Sequence, residues 1–132
     1  MGGIAVEDIR REALDGIQQM ERELIVRDFV AVLNEGGVGE LLPFLTEDVV
    51  YRPSHNRGVT GRREMLAMIE EIRSRFAEWS TALVTVAVAG DTVLTEQVLH
   101  LRLPEGEKCE VLGFGSFRLD GSRICTWHQV HA

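Results

Sequence analysis

Four polar side chains, none of them a carboxylate, are the candidates for chemistry in this sequence: Tyr51, Gln97, Gln129 and His131. His131 is the candidate acid or base because an imidazole titrates near neutral pH, although residues so close to a chain end often fray. Tyr51 can donate a hydrogen bond to an oxygen that becomes negatively charged. Each glutamine can donate and accept, so the pair can hold a ligand's carbonyl or hydroxyl group, or can bond to each other inside a filled cavity.

The remaining reactive side chains do not indicate a metal or a thiol site. Cys109 and Cys125 lack the CxxC spacing, and no Cys/His cluster has the spacing of metal ligands, so both are interpreted as ordinary reduced cysteines. His55, Asn56 and Arg57 follow the first predicted strand and lie either at the mouth of a cavity or in a solvated loop. We therefore expect no metal and no cofactor.

Length and charge restrict the class of protein. A chain of 132 residues has the size of one domain, which we expect to span residues 1–132. The formal net charge of −7 argues against nucleic acid and against an anionic membrane surface, since both need a basic patch. No apolar run approaches the roughly 18 residues of a membrane span, and residues 1–11 contain no apolar signal segment. We expect a cytoplasmic protein that binds neither nucleic acid nor membrane.

The N-terminal half has the hydrophobic spacing of helices. The first helix is predicted over residues 7–34; its pattern is weakest over residues 1–20, where we expect fraying, and glycines at 36 and 37 end it. A short second helix is predicted over residues 38–45 and a third over residues 62–79. Between them, residues 48–51 are predicted to form a strand that ends at Pro53, followed by a polar loop over residues 54–60.

After residue 79 the hydrophobic period changes to two, which predicts four strands joined by hairpins. The strands cover residues 83–89, 92–103, 108–119 and 123–131, and their turns contain Gly90-Asp91, Pro104-Glu105-Gly106 and Asp120-Gly121. Together these elements predict an α+β fold in which three N-terminal helices pack on a strongly curved, mostly antiparallel sheet. Such a sheet encloses a pocket at its open end.

Strand alternation assigns the side chains that face this pocket. On the strand over residues 92–103 the less charged face, which carries Gln97 and Leu99, is taken as the inner one. Gly113 and Gly115 on the next strand either widen the cavity or mark a bend. Apolar walls with a few polar groups are typical of small-molecule sites. The predicted substrate-binding residues are Phe29, Met68, Leu99, Val111, Gly113 and Trp127.

Several segments resemble the limonene-1,2-epoxide hydrolase family, which lies within the wider group of NTF2-like and SnoaL-like domains. The strongest similarity is in the strand Thr95-Glu96-Gln97-Val98-Leu99-His100-Leu101-Arg102 and in the strand that contains Trp127. Further similarity runs over residues 25–29, 41–51 and 61–62, so the resemblance covers roughly residues 25–131. It implies an NTF2-like cone, with helices packed on a curved sheet around one pocket.

The resemblance also implies a mechanism. In that family one aspartate activates a water, a second protonates the epoxide, an arginine holds both, and a tyrosine and an asparagine position the water. The tyrosine corresponds to Tyr51, but the asparagine corresponds to Pro53 and the arginine to Gln97. The two aspartates correspond to Leu99 and Gln129. An amide has no proton to exchange and leucine has none to donate, and each lost acid or base removes about 10²- to 10⁴-fold in rate. Epoxide hydrolysis by this route is therefore not expected.

Three functions remain open. The first is a SnoaL-like cyclase or isomerase of a hydrophobic biosynthetic intermediate, which uses shape and the four polar candidates, with Trp127 offering a flat face to a ring. The second is a non-catalytic binding or accessory protein. The third is an epoxide-opening enzyme with relocated acid and base, which needs His131 and a carboxylate elsewhere. In each case the expected ligand is a small hydrophobic or polycyclic molecule.

A homodimer is expected through the outer face of the sheet. The resemblance implies this assembly, and four outward positions agree with it because they are apolar: Val98, Leu112, Phe114 and Val130. A monomer rarely exposes an apolar patch of this kind.

Overall fold

Two α-helices and a short 3-10 helix pack against a curved, open sheet of six strands in the computed structural model, which describes residues 5–132. In chain order the elements are α1 (Val6–Glu35), the 3-10 helix (Val38–Phe44), β1 (Leu45–Ser54), β2 (Arg57–Thr60), α2 (Arg62–Ser74), β3 (Glu78–Ala89), β4 (Thr92–Arg102), β5 (Lys108–Asp120) and β6 (Arg123–His131). The strand order is β2-β1-β6-β5-β4-β3. Only the β1–β6 pair among these is parallel. The predicted α+β fold with a mostly antiparallel sheet is confirmed; residues 1–4 of the segment expected to fray lie outside the described residues.

The hairpin turns follow the predicted chemistry. Gly90 and Gly121 have φ angles of 60° and 61°, a left-handed conformation that glycine adopts without steric cost. These turns start β4 and β6 in register, and β4 pairs with β5 without interruption from Thr92↔Arg118 to Arg102↔Lys108. The inner and outer faces of the strands are therefore those that alternation predicts.

Helix α2 is shorter than predicted, because it ends at Ser74 and not at residue 79. Apolar residues continue at helical spacing through Phe76 and Trp79, and neither glycine nor proline marks the end. The N–H of Ala77 instead donates to the carbonyl oxygen of Arg102 at 2.7 Å, which starts the pairing of β3 with β4. Residue 79 thus belongs to the sheet, and β3 starts at residue 78 and not at 83.

The segment predicted as a polar loop over residues 54–60 contains β2, which forms one edge of the sheet. Strand β1 also continues past Pro53 to Ser54. Proline is tolerated there because the β1–β2 register is irregular between Tyr51 and Ser54, so the N–H that proline lacks is not required. A four-residue edge strand of mostly exposed residues has no alternating pattern, which explains why the sequence did not predict it.

The core lies between the concave face of the sheet, the C-terminal half of α1 and the 3-10 helix. Its largest fully buried side chains are Trp127, Phe29, Phe117, Leu33, Leu41, Leu45, Met65, Ile124, Gln97, Val26, Val49 and Val93. Residues 6–21 of α1 are almost all exposed, so this half of the helix contributes little to the core.

The end of α1 is attached to the edge strand β3 through one side chain. The Asn34 side-chain amide donates to the carbonyl oxygen of Thr81 at 2.8 Å, and the Thr81 N–H donates to Asn34 Oδ1 at 2.8 Å. This two-way contact fixes where α1 crosses the sheet. The buried side chains of α1 are thereby held in position against the concave face of the sheet.

Candidate active site

A cavity of about 210 Å³ lies on the concave face, between the strands and the C-terminal end of α2. Its lining consists of Tyr51, Pro53, Ser54, Arg57, Ile72, Phe76, Trp79, Leu99, Leu101, Gln129 and His131. A much smaller space of about 10 Å³, the inner space, also borders on Tyr51, Ile72 and Trp79 and extends to Arg73 and Trp127. We call the 210 Å³ volume the cone cavity.

Strand pairing explains why these side chains meet. Tyr51 on β1 lies opposite Trp127 on β6, and Gln129 and His131 follow on the same face of β6 at the two-residue spacing of a strand. Leu99 on β4 completes the apolar side of the cavity. Of the positions that the resemblance connects with the epoxide hydrolase mechanism, those of the tyrosine, the asparagine and both aspartates therefore border on this one cavity.

Trp127 is part of a closed row of aromatic rings. Its ring centroid lies 5.0 Å from that of Tyr51 and 5.0 Å from that of Phe117, which stacks on it at 17°. Tyr51 and Phe117 come from the strands on either side of β6, so they cover opposite sides of the indole. The edge of Phe29 approaches at 5.2 Å, and Trp127 is 1% exposed. The flat face that the sequence suggested for a ligand is occupied by the protein's own rings.

Tyr51 is held in its neutral form. Burial raises the pKa of its phenol far above the usual value of 10, while the nearby charges of Arg57 and Arg73 act in the opposite direction. Burial is the larger effect, so the hydroxyl keeps its proton throughout the physiological pH range. It can donate a hydrogen bond into the cavity, but it cannot act as a base.

Two arginines lie beside this hydroxyl in different surroundings. Arg73, on the last turn of α2, places its guanidinium 5.2 Å from the ring centroid of Trp79, within the range of a cation–π contact. Partial burial lowers the pKa of Arg73. Arg57 lines the cone cavity and contacts Glu71 at 3.4 Å, but the carboxylate of Glu71 makes a closer contact of 2.9 Å with Arg75.

Gln97, a predicted site residue, does not border on the cone cavity and is 1% exposed. Its Oε1 accepts a hydrogen bond from the Thr95 hydroxyl at 2.9 Å. Its Nε2 has no partner among the described residues, and neither has the indole N–H of Trp127.

Gly113 and Gly115 make room for polar side chains from the neighbouring strands. A Cβ at Gly113 would lie 2.5 Å from a ring carbon of His131, and one at Gly115 would lie 2.7 Å from the Thr95 hydroxyl and 3.2 Å from Gln97 Oε1. The ladder is regular at both positions, so neither glycine marks a bulge. The space that they leave is filled by His131, Thr95 and Gln97 and does not enlarge the cavity.

His131 lies at the rim of the cavity. The residue as a whole is exposed, yet its ring covers Gly113 and one side borders on the cavity. This partial burial lowers the pKa of the imidazole below its usual value of 6.5. The ring is therefore neutral at pH 7 and has a lone pair that can accept a proton.

The other predicted binding residues lie outside the cavity lining. Phe29 is fully buried in the core, and Met68 packs partly buried against it. Gly113 lies under His131, and Val111 is a half-buried residue of β5. Conversely, Arg73, which borders on the inner space, was not among the predicted site residues, and Phe76 and Trp79 were predicted to lie in a helix. Trp79 reaches the cavity wall because α2 ends at Ser74 and residue 79 lies on β3.

Two larger depressions lie elsewhere. One, of about 400 Å³, follows the β1–β2 hairpin and borders on Arg52, His55, Asn56 and Arg57. The other, of about 430 Å³, lies across β3, β4 and β5 near His100 and Glu110. Most of their lining residues are exposed. The cone cavity is the candidate site because it borders on buried Tyr51 and has mainly apolar walls.

Within residues 5–132 no group of three or more His, Cys, Asp or Glu side chains is arranged to hold a metal ion. In the same range no helix is long and apolar enough to cross a membrane.

Comparison with known proteins gives one family. The SnoaL-like domain family matches residues 26–127. A comparison with curated proteins finds no match.

Solved structures share the fold at low sequence identity. An LEH-like epoxide hydrolase from M. tuberculosis has a TM-score of 0.76 at 20% identity, over 87% of this chain and 85% of that one. A candidate SnoaL-like polyketide cyclase from Jannaschia sp. CCS1 has a TM-score of 0.78 at 15% identity, over 86% of each chain. A protein of ketosteroid isomerase-like fold from Catenulispora acidiphila, solved with trimethylamine, has a TM-score of 0.73 at 18% identity, over 80% and 82%. The resemblance predicted from the sequence is confirmed at the level of the fold.

Proposed function

The chain belongs to the SnoaL-like domain family, and on that premise we propose that it binds a small, mainly hydrophobic ring compound in the cone cavity and isomerises or cyclises it without a cofactor. The observation that carries the proposal is the contrast within one cavity. Apolar walls from α2, β3 and β4 surround a neutral phenol, an amide and a neutral imidazole, contributed by Tyr51, Gln129 and His131.

The size of the cavity limits the ligand. Sites for drug-sized molecules usually have about 300–1,000 Å³, whereas the cone cavity has about 210 Å³. We therefore favour one ring or two fused rings over a larger polycyclic molecule. The packed row around Trp127 supports this limit, because it blocks extension toward the core.

The polar groups suit a proton transfer next to a carbonyl group. His131 takes a proton from the carbon beside the carbonyl, the C–H electron pair moves to form a carbon–carbon double bond, and the carbonyl oxygen becomes an enolate oxygen. The Tyr51 hydroxyl donates a hydrogen bond to that oxygen, and Gln129 can hold a second polar group. Return of the proton to another carbon gives an isomer, and attack of the enolate carbon on a second carbonyl closes a ring. In the second case the new alkoxide takes the proton.

Solvent exchange tests this step without knowledge of the natural substrate. Cyclohex-2-enone and 1-tetralone are incubated with the protein in D₂O, and deuterium at the carbon beside the carbonyl is followed by NMR. We expect exchange above the buffer rate, with His131→Gln and Tyr51→Phe each reducing it about 10²-fold or more. His128→Gln is the matched control, because His128 is on the same strand but on its outer face. Equal exchange in wild type and His131→Gln would exclude the proposed base.

A non-catalytic binding protein is the second candidate. It is favoured by the position of His131 at the exposed rim, where a general base is poorly held. Binding of the ketones without any exchange supports this candidate over the first. In that case Gln129→Leu, which removes a polar group from the lining, should change affinity, while exchange stays at the buffer rate in every variant.

The epoxide-opening candidate has less support. It requires a carboxylate, but no Asp or Glu within residues 5–132 lines the cone cavity. The carboxylate of Glu71, which contacts Arg57, is exposed and engaged by Arg75 as well. If the protein hydrolysed limonene oxide above the background rate, the epoxide-opening function would be favoured over the other two.

We also propose a homodimer through the outer face of the sheet. Phe114 and Val130 are each 52% exposed and lie opposite one another on β5 and β6, with Leu112 and Leu94 exposed nearby. Light scattering after size exclusion should give twice the mass of the chain, and Phe114→Glu should shift it to that of the monomer. A monomeric wild type would contradict this assignment.

A further inference from the structure

We propose that the ring compound bound in the cone cavity carries a carboxylate, and that Arg73 and Arg57 recognise it beside Tyr51. This inference rests on the proposed function, since it takes the cavity as the binding site. The apolar walls by themselves indicate only a hydrophobic ligand; the inference is that this ligand also carries a negative charge.

The distribution of charge is the first argument. The chain has 21 acidic and 14 basic residues, so an average surface region should be negative. The charged groups that border on these spaces are Arg57 in the cone cavity and Arg73 in the inner space, and no acidic residue within the described part of the chain lines either one. An acidic protein thus has a positively charged pocket, which attracts anions and repels cations.

The surroundings of Arg73 are the second argument. Among the other partly buried arginines, Arg62 and Arg102 contact a carboxylate and Arg22 donates to a backbone carbonyl oxygen. Arg73 has no such contact with any residue from 5 to 132, although it is partly buried and its guanidinium covers the ring of Trp79. A guanidinium that has lost part of its hydration and has no counter-ion is suited to an anion from outside the chain.

Arg57 has a weak partner. Its contact with Glu71 measures 3.4 Å, compared with 2.9 Å between Glu71 and Arg75. The carboxylate is therefore shared, and its closer contact is with Arg75. Arg57 can turn toward a ligand in the cavity without leaving Glu71 unpaired.

Tyr51 connects the two cations. It borders on the cone cavity together with Arg57 and on the inner space together with Arg73. Both guanidinium groups donate and neither accepts, while the single hydrogen of the Tyr51 hydroxyl stays available to the carbonyl oxygen of the same ligand. A carboxylate, which only accepts, is complementary to such a set. Leu99, Leu101 and Phe76 then contact the ring that carries it.

Paired acids and amides of the same shape test this inference. Dissociation constants for benzoate and benzamide, and for 1-naphthoate and 1-naphthamide, are measured by NMR titration at low ionic strength. We expect each acid to bind about 10-fold or more tightly than its amide, because charge-assisted hydrogen bonds are the stronger ones. Raising the salt concentration should weaken the acids and leave the amides unchanged.

Variants of Arg73 test whether this residue recognises the carboxylate. Arg73→Gln should reduce the preference for the acid to about 3-fold or less while amide binding persists, and Arg73→Lys should restore part of it. Arg63→Gln is the matched control, since Arg63 is an exposed arginine of the same helix that does not border on the cavity. Persisting amide binding also shows that the variant is folded.

The outcomes separate this inference from the proposed function. Equal affinity for acids and amides, or an unchanged preference in Arg73→Gln, overturns the inference and leaves ligand binding in the cavity intact. Failure of all four compounds and of the neutral ketones to bind overturns the proposed function, and this inference with it.

Discussion

The two tryptophans of the chain lie on the same concave face and have opposite surroundings. Trp127 is enclosed by the rings of Tyr51, Phe117 and Phe29, whereas Trp79 is half-buried and is covered by the guanidinium of Arg73. One end of the face is therefore a packed core and the other is a cavity with a cation in its wall. Residue type alone therefore does not distinguish a packing ring from a ligand-binding ring; the residues that cover the ring do.

The largest expected difference is between the two tryptophans themselves. Trp127→Ala removes a fully buried ring from the aromatic row, and we expect a loss of about 3–5 kcal/mol in the free energy of unfolding. Trp79→Ala should lose less than half of that, because its ring is already partly solvated, but should weaken binding of ring compounds. Urea denaturation with ligand titration measures both. Similar losses in the two variants would contradict the division into core and cavity.

The two glycines of β5 provide a smaller contrast. Gly115→Ala forces the new methyl group against the Thr95 hydroxyl, whose short side chain has little freedom, and should cost about 1–3 kcal/mol of stability. Gly113→Ala meets the ring of His131, an exposed residue whose side chain can turn away, and more distantly the backbone oxygen of Val130 at 3.1 Å. We expect a smaller loss there and a changed NMR shift of His131. A larger loss for Gly113→Ala would show that this ring is rigidly held.

The only tyrosine of the chain makes an alkaline titration unambiguous. The pKa of Tyr51 is raised in the folded state, so the folded protein keeps a proton that the unfolded chain releases above about pH 10. The resulting stabilisation is fully present below pH 10 and is lost as the pH rises toward the folded-state pKa. Absorbance at 295 nm should show no phenolate until the protein unfolds. Ionisation near pH 10 without unfolding would place Tyr51 in contact with solvent.

The smallest effect concerns the two histidines of β6. Burial lowers the pKa of His131, and burial together with Arg52 lowers the pKa of His128. Both rings are more easily protonated in the unfolded chain, so their contribution is present above about pH 6.5 and is lost as the pH falls through the folded-state pKa. Substitution of either by glutamine should flatten the decrease in stability below pH 6.5. If the decrease in stability below pH 6.5 is unchanged in both variants, it arises from the protonation of carboxylates and not from these histidines.

Much of the fold was predictable because it depends on local chemistry. Alternation on β4 and β6 identified the inner face correctly, and the turn glycines fixed the hairpins; on β5 polarity left the choice of face open, and burial in the structure decides it. The errors are at positions where no local signal exists. The end of α2 depends on Ala77 bonding to Arg102, a contact distant in sequence, and that one error concealed the place of Trp79 in the cavity wall. Tyr51, Gln129 and His131 were predicted as cavity residues and border on it, whereas the position of Arg73 at the inner space follows only from the tertiary structure.

Asn34 has a consequence for association between molecules. Strand β3 is an edge of the sheet, and an unprotected edge of twelve residues is a template for the strand of another chain. By taking the donor and the acceptor of Thr81, the Asn34 amide occupies this edge just where a foreign strand would need both groups. At Thr81 the side chain therefore makes the two hydrogen bonds that a strand of another molecule would make, which disfavours edge-to-edge association at this point of β3.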